Sequence, residues 1–277
     1  MAISPIYANF GYPYLQLFAI AVDLTGRGNN PSNHTTMFQP INCIALRTVR
    51  YSDRNSILSV YTRQHGRMAL LVPAGASKAA TRTRALSMPL ATFDCVADIR
   101  PGRDIFTIRD IRPTGTPPSP SPLKATLSLF TADILASLLR EPQQDHLLYE
   151  FILHSAATLQ AASPQACANF HICFMLRLQH FLGIEPDWST FSKGAVFDMA
   201  DGIFRLIPPM HNRILPTDEA EAAHTLRRMN FRNAHRFAMS RFDRNRILDR
   251  MMEYYRLHFP GLGTVNSLDV LRTMFDF

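Results

Sequence analysis

Apolar and polar positions alternate with a period of two from residue 41 to residue 113, as half-buried strands require. Residues 41–50 (INCIALRTVR) set apolar side chains against polar or basic ones and predict a first strand. A polar turn at 51–55 leads to a second strand at 56–62 (SILSVYT). The connection RQHG at 63–66 ends in Gly66, a residue suited to positive φ. Residues 67–72 (RMALLV) predict a third strand, stopped by Pro73. A loop rich in Ala, Thr and basic residues follows, then strands at 88–99 and 104–111 around the turn RPGR. Five short strands in about seventy residues suit a small closed barrel.

Five prolines between 113 and 122 (PTGTPPSPSP) exclude helix and central strand and predict an extended connector. Beyond it the period becomes helical. Helices are predicted at 123–140, closed by Pro142, and at 146–162; a third is opened by Ser163-Pro164 and runs to Phe181. Thr217-Asp218-Glu219 starts another with acids at its positive end. Residues 241–258 form an amphipathic helix that buries Ile247, Leu248, Met251, Tyr254 and Tyr255, and 267–275 a last short one. Residues 184–216 read as irregular, with strand-like pieces at 195–198 and 203–206 around a D-G turn. The expected class is α+β: an N-terminal five-stranded OB-fold β-barrel (37–113), a Pro-rich linker (114–122) and an all-α helical domain (123–277).

The segment 12–24 (YPYLQLFAIAVDL) is apolar but short, broken by Pro13 and Asp23, and lacks a basic leader. It reads as neither signal peptide nor membrane span. Residues 29–36 (NNPSNHTT) read as a linker. Residues 1–36 are therefore expected to be a disordered or non-native extension, with translation starting at Met37.

Charge changes the picture more than composition does. The 277 residues are 47% hydrophobic, enough for a sizeable core, and carry a formal net charge of +7. Residues 37–118 hold 12 Lys and Arg against 5 Asp and Glu, whereas 119–277 balance at 16 each. The whole excess belongs to the barrel, and a small barrel with a one-signed field suits a tracked phosphate backbone. The candidate binding residues are Arg47, Arg50, Arg54, Arg63, Arg67, Lys78, Arg82 and Arg84, with Tyr51, Tyr61 and His65 as possible stacking surfaces. The competing reading makes these arginines a solvated face and the tyrosines core. A second basic run crosses 227–250; Arg228, Arg232 and Arg236, four apart, would line one helical face, either extending the nucleic-acid path or merely solvating it.

No phosphate-binding loop, H-E-x-x-H or G-x-S-x-G occurs. His171 and His180 lie nine apart without a carboxylate beside them, and Asp198 and Asp201 flank a turn. Cys43, Cys95, Cys167 and Cys173 are scattered, which argues against a disulfide framework or a cysteine zinc site and for buried, reduced thiols. No enzyme, metal or cofactor is expected.

Three blocks, in order, resemble the RecO family. CIALRTVRYSDRNSILSVYTRQHGRMALLVPAGASK is similar to its opening barrel. FLGIEPDW with VFDMADGIF is similar to its central segment, and MMEYYRLHFPGLGTVNSLDVL to its carboxyl end in Bacteroidetes-like members. The resemblance implies a cytoplasmic mediator of recombinational DNA repair. Such a protein binds single- and double-stranded DNA and anneals complementary strands. It acts with RecR, and in some members RecF, to load RecA, and it docks the acidic tail of single-strand-binding protein; no membrane is involved. An OB-fold RNA-binding protein is the alternative. Many members carry a four-cysteine zinc site in the central segment, but residues 188–216 contain no cysteine, so zinc is not expected.

Overall fold

Each of the five strands offers an apolar row to a shared interior. In strand β3 (Gly66–Pro73) Met68, Leu70 and Val72 point inward while Arg67, Ala69 and Leu71 stay partly open. Ile41, Cys43 and Ala45 of β1 (Met37–Arg50), Leu58 and Val60 of β2 (Asn55–Thr62), and Phe93, Cys95 and Ala97 of β4 (Thr92–Ile99) fill the same interior. With β5 (Ile105–Thr114) they close a barrel in the order β1-β2-β3-β5-β4, parallel only between β3 and β5. The expected five-stranded barrel and α+β class are what the computed structural model contains; it describes residues 37–75 and 78–274. The side chains at 37, 78, 79 and 82 are not described, and the expectation about 1–36 lies outside the described residues.

The basic loop expected after β3 is instead a helix, α1 (Lys78–Leu86), which plugs one barrel end with Leu86. The sequence KAATRTRAL has good helix formers at its alanines and arginines, and tertiary contact with the barrel end decides the case. The fourth strand starts at Thr92 instead of 88. Leu90 takes φ +62, and its N–H donates to Ala45 O at 2.8 Å, so the chain turns there before it can pair. The fifth strand runs on to Thr114.

The helical half packs α2 (Pro122–Leu138), α3 (His146–Ala161), α5 (Phe170–Phe181) and α7 (Arg241–His258) around one core rich in phenylalanine. The rings of Phe151 and Phe174 stack at 5.3 Å, and the Tyr255 hydroxyl donates to Met175 O at 2.8 Å. The single helix expected from 164 to 181 is divided. A short α4 (Pro164–Cys167) ends before Asn169, whose side-chain amide donates to Ala234 O and Phe237 O at 2.9 and 2.8 Å. The remaining elements are a small sheet of β6 (Val196–Asp198), β7 (Ile203–Arg205) and β8 (Ile214–Leu215), then α6 (Thr217–Leu226) and α8 (Ser267–Thr273). No helix among the described residues is long and apolar enough to cross a membrane.

Barrel and helices share a core. Ile44, Leu46, Tyr61 and Leu90 turn outward from the barrel and join the helical cluster around Phe130, Tyr149 and Ile152. The turn after β2 fixes this docking. Gly66 has φ +63, and a Cβ there would lie 2.1 Å from Gln143 O. Glycine is thus required twice, by the backbone angle and by the close approach. We predict that Gly66→Ala destabilises the protein by at least about 1 kcal/mol, lowering the thermal midpoint by roughly 2–4 °C. Gly263→Ala, at an open position, should leave the midpoint unchanged. Equal midpoints for the two variants would refute the docking constraint.

Candidate nucleic-acid interface

The β1–β2 hairpin carries Arg47, Arg50 and Arg54 against a single carboxylate, Asp53. Beyond the bulge between Ala45 and Arg47, strand alternation places Arg47 and Val49 on the outer face, beside Ser59 and Ile57 of β2, and Tyr51 follows in the turn. Thr48 faces the other way, its hydroxyl donating to Ser87 O at 3.4 Å just beyond α1. The hairpin tip is tied down. Tyr51 N–H and Ser52 N–H donate to Asn55 O at 3.1 and 2.9 Å, and Ser52 Oγ accepts from Asn55 N–H.

Tip and α1 meet. Ala74 N–H donates to Arg54 O at 2.7 Å, and the Arg84 guanidinium donates to Gly75 O at 2.7 Å. Arg50, Arg54 and Arg84 are therefore gathered at one end of the barrel, on the element that also carries Lys78 and Arg82. Arg50 is paired with Asp53 at 2.9 Å, a highly exposed pair that water screens. Arg47, Arg54 and Arg84 have no ion-pair partner among the described residues. Arg112, on β5 at the groove that Thr83 and Leu86 of α1 help line, is likewise exposed and unpaired, and sequence reading missed it. Its signal was the alternation R-D-I-R at 109–112, partly hidden by a bulge in which Asp110 takes φ +55.

Arg63, just past the end of β2, and Arg67, on β3 opposite Tyr61, sit where barrel meets helices. Arg63 pairs with Glu150 of α3 at 3.2 Å. The Arg67 guanidinium donates to Ala136 O and Leu139 O at 2.5 and 3.0 Å, satisfying carbonyls left open at the end of α2. Burial, then the nearby Arg140 and Arg47, lower its pKa. Of the candidate rings, Tyr61 is 2% exposed, and burial pushes its phenol up to about 12, so it is core. His65 is half-buried against Gln39. Tyr51 is 63% exposed.

Arg228, Arg232 and Arg236 are exposed but line no helical face, because α6 ends at Leu226. Asn230 and Asn233 explain the stop. Their side chains accept backbone N–H groups of Arg232, Asn233 and Asn230 at 2.7–3.1 Å, competing with the helical ladder. Arg177 reaches across from α5 to donate to Met229 O at 2.9 Å. Of the histidines, His171 is fully buried and burial lowers its pKa to about 3, whereas His180 pairs with Glu185 at 2.8 Å. Among the described residues no cluster of His, Cys, Asp and Glu could hold a metal.

Residues 37–117 match the family Recombination protein O N terminal, and residues 120–264 match Recombination protein O C terminal. The chain belongs to the RecO family. It is 35% identical over 242 residues to the DNA repair protein RecO of Phocaeicola vulgatus, covering 86% of this chain and all of the relative. The RecO of Bacteroides fragilis is 36% identical over 244 residues, 87% of this chain and again the whole relative. That of Flavobacterium psychrophilum is 23% identical over 237 residues, 84% and 97% of the two chains.

In this RecO chain the central segment does not fit zinc, having no thiol to offer, and a carboxylate organises it instead. Asp198, 1% exposed, accepts N–H groups of Ala200 and Asp201 at 3.0 and 3.3 Å and faces Arg205 Nε at 3.1 Å and His211 Nε2 at 3.4 Å. Phe197, Phe204, Leu215 and Tyr254 pack beside it.

The two arginine groups predict a separation of effects. Arg67→Ala should cost about 2 kcal/mol in urea unfolding, since buried carbonyls lose a charged donor, yet leave oligonucleotide affinity within about twofold. Arg47→Ala with Arg54→Ala should do the reverse. A weak binder in the first case with unchanged unfolding would contradict the assignment.

Proposed function

We propose that this RecO chain is a non-enzymatic mediator of DNA repair and homologous recombination, working in the cytoplasm. It binds single- and double-stranded DNA through the β1–β2 hairpin and the adjoining α1, with Arg47, Arg50, Arg54 and Arg84. The observation that carries this reading is that Arg54 of the hairpin tip and Arg84 of α1 meet at one barrel end, and that they and Arg47 have no ion-pair partner among the described residues. Of the residues named from sequence, Arg63 and Arg67 are reassigned to docking. Lys78 and Arg82 remain in the proposal through their place on α1, and Arg228, Arg232 and Arg236 as a separate basic surface.

Annealing needs no bond-making group. Neutralising phosphates on two strands lowers their repulsion, and base pairing then drives the reaction. In the same reading the protein works with RecR, and with RecF where present, to load RecA onto strands coated by single-strand-binding protein. The acidic tail of that protein fits the helical half. There Leu176, Trp188, Phe204 and Met251 line an apolar pocket that also carries Arg246, while Arg250 beside it is held by Glu219 and Glu253. An apolar anchor would enter while Arg246 meets an acid.

The test is strand annealing and affinity against salt. Single-strand affinity should fall steeply with salt. Replacing Arg47, Arg50, Arg54 and Arg84 together by Ala should slow annealing and flatten the log–log slope by about 3. A variant that anneals at the wild-type rate with the wild-type slope would overturn the reading.

A further inference from the structure

The hairpin offers more than charge. Arg47 and Val49 stand on alternate positions of one strand face, about 6.7 Å apart, and Tyr51 follows at the turn just past the end of β1. Val49 is 55% exposed and Tyr51 63% exposed, although β-branched and aromatic side chains in a small barrel ordinarily find cover. No hydrogen bond or ring contact engages the Tyr51 side chain among the described residues, and the helical core recruits Tyr61 instead. The main chain beneath it is nevertheless fixed by the Tyr51–Asn55 and Ser52–Asn55 hydrogen bonds. A ring held out to solvent on an ordered turn, between Arg50 and Arg54, loses little freedom when a flat partner covers it.

We propose that Tyr51 is a base-stacking residue that gives the barrel its preference for unpaired bases. This rests on the reading of the barrel end as the DNA-binding surface and adds the part of the nucleotide that the cations do not read. Phosphates beside Arg47 and Arg54 hold the strand. The phenol ring covers the face of one base, and Val49 shields the edge of the stack. In a duplex both faces of an internal base are already covered by its neighbours, so the ring gains nothing there. The cations bind either form; the tyrosine separates them.

The experiment compares wild type, Tyr51→Ala and Tyr51→Phe on three ligands of equal length: a thymine single strand, an abasic single strand and a blunt duplex. Tyr51→Ala should weaken binding to the base-bearing strand about tenfold, with its salt slope unchanged because phosphate contacts remain. On the abasic strand and the duplex it should match wild type within twofold. Tyr51→Phe keeps the ring and should match wild type throughout. Tyr51→Ala equal to wild type on the thymine strand, or equally weakened on all three ligands, overturns the proposal. So does Tyr51→Phe behaving like Tyr51→Ala, which would mean a hydroxyl contact. A wild type without salt-dependent binding would instead fail the barrel reading, so the two failures are distinguishable.

Discussion

The structure depends on the fit of one tight turn against the connection between α2 and α3. At the close of β2 the chain reverses through Gly66, which lies so near the Gln143 backbone that no side chain could stand there. Around this contact Tyr61 enters the helical core, Arg67 satisfies the last carbonyls of α2, and Arg63 meets Glu150. The barrel is therefore not a bead on a proline string. Its strand β1 is buried on both faces through Ile41–Leu46, inward in the barrel and outward in the helices. Docking consumes one end of the barrel and leaves the hairpin end open, and that asymmetry decides which cations remain available.

The barrel was legible because strand alternation is a local signal, although its last two strands exchange places in space, β5 lying between β3 and β4. The helices were legible for the same reason, and Pro122 and Gly183 mark ends as expected. What escaped were features set by distant partners. The loop before β4 becomes α1 because the barrel end rewards an apolar plug. Asn169 breaks a continuous helical pattern through bonds to residues 65 and 68 positions away. The four-residue spacing of Arg228, Arg232 and Arg236 marks no helical face, since two asparagines between them take up the backbone donors.

The site was half legible. Counting charges pointed to the barrel as the candidate site, which is a property of composition. Sorting those charges needed geometry, because Arg47 and Arg67 look alike in sequence. The first stands open on the hairpin; the second is half-buried with carbonyls around it. Arg112 was invisible until β5 was placed beside α1. Cys43 and Cys95 illustrate the same limit: 52 residues apart, they bring their sulfurs to 3.9 Å inside the barrel, where burial pushes the Cys43 thiol well up and keeps it unreactive.

Taken together, a barrel and helices that share a core hold an ordered, basic hairpin whose Arg47 and Arg54 have no ion-pair partner among the described residues. Ultraviolet crosslinking of a bromodeoxyuridine single strand to the full chain, with the attached peptides mapped by mass spectrometry, tests this most directly. Crosslinks should concentrate on the peptides spanning residues 47–59. Crosslinks confined to residues 196–258, with the hairpin peptides unmodified, would contradict it.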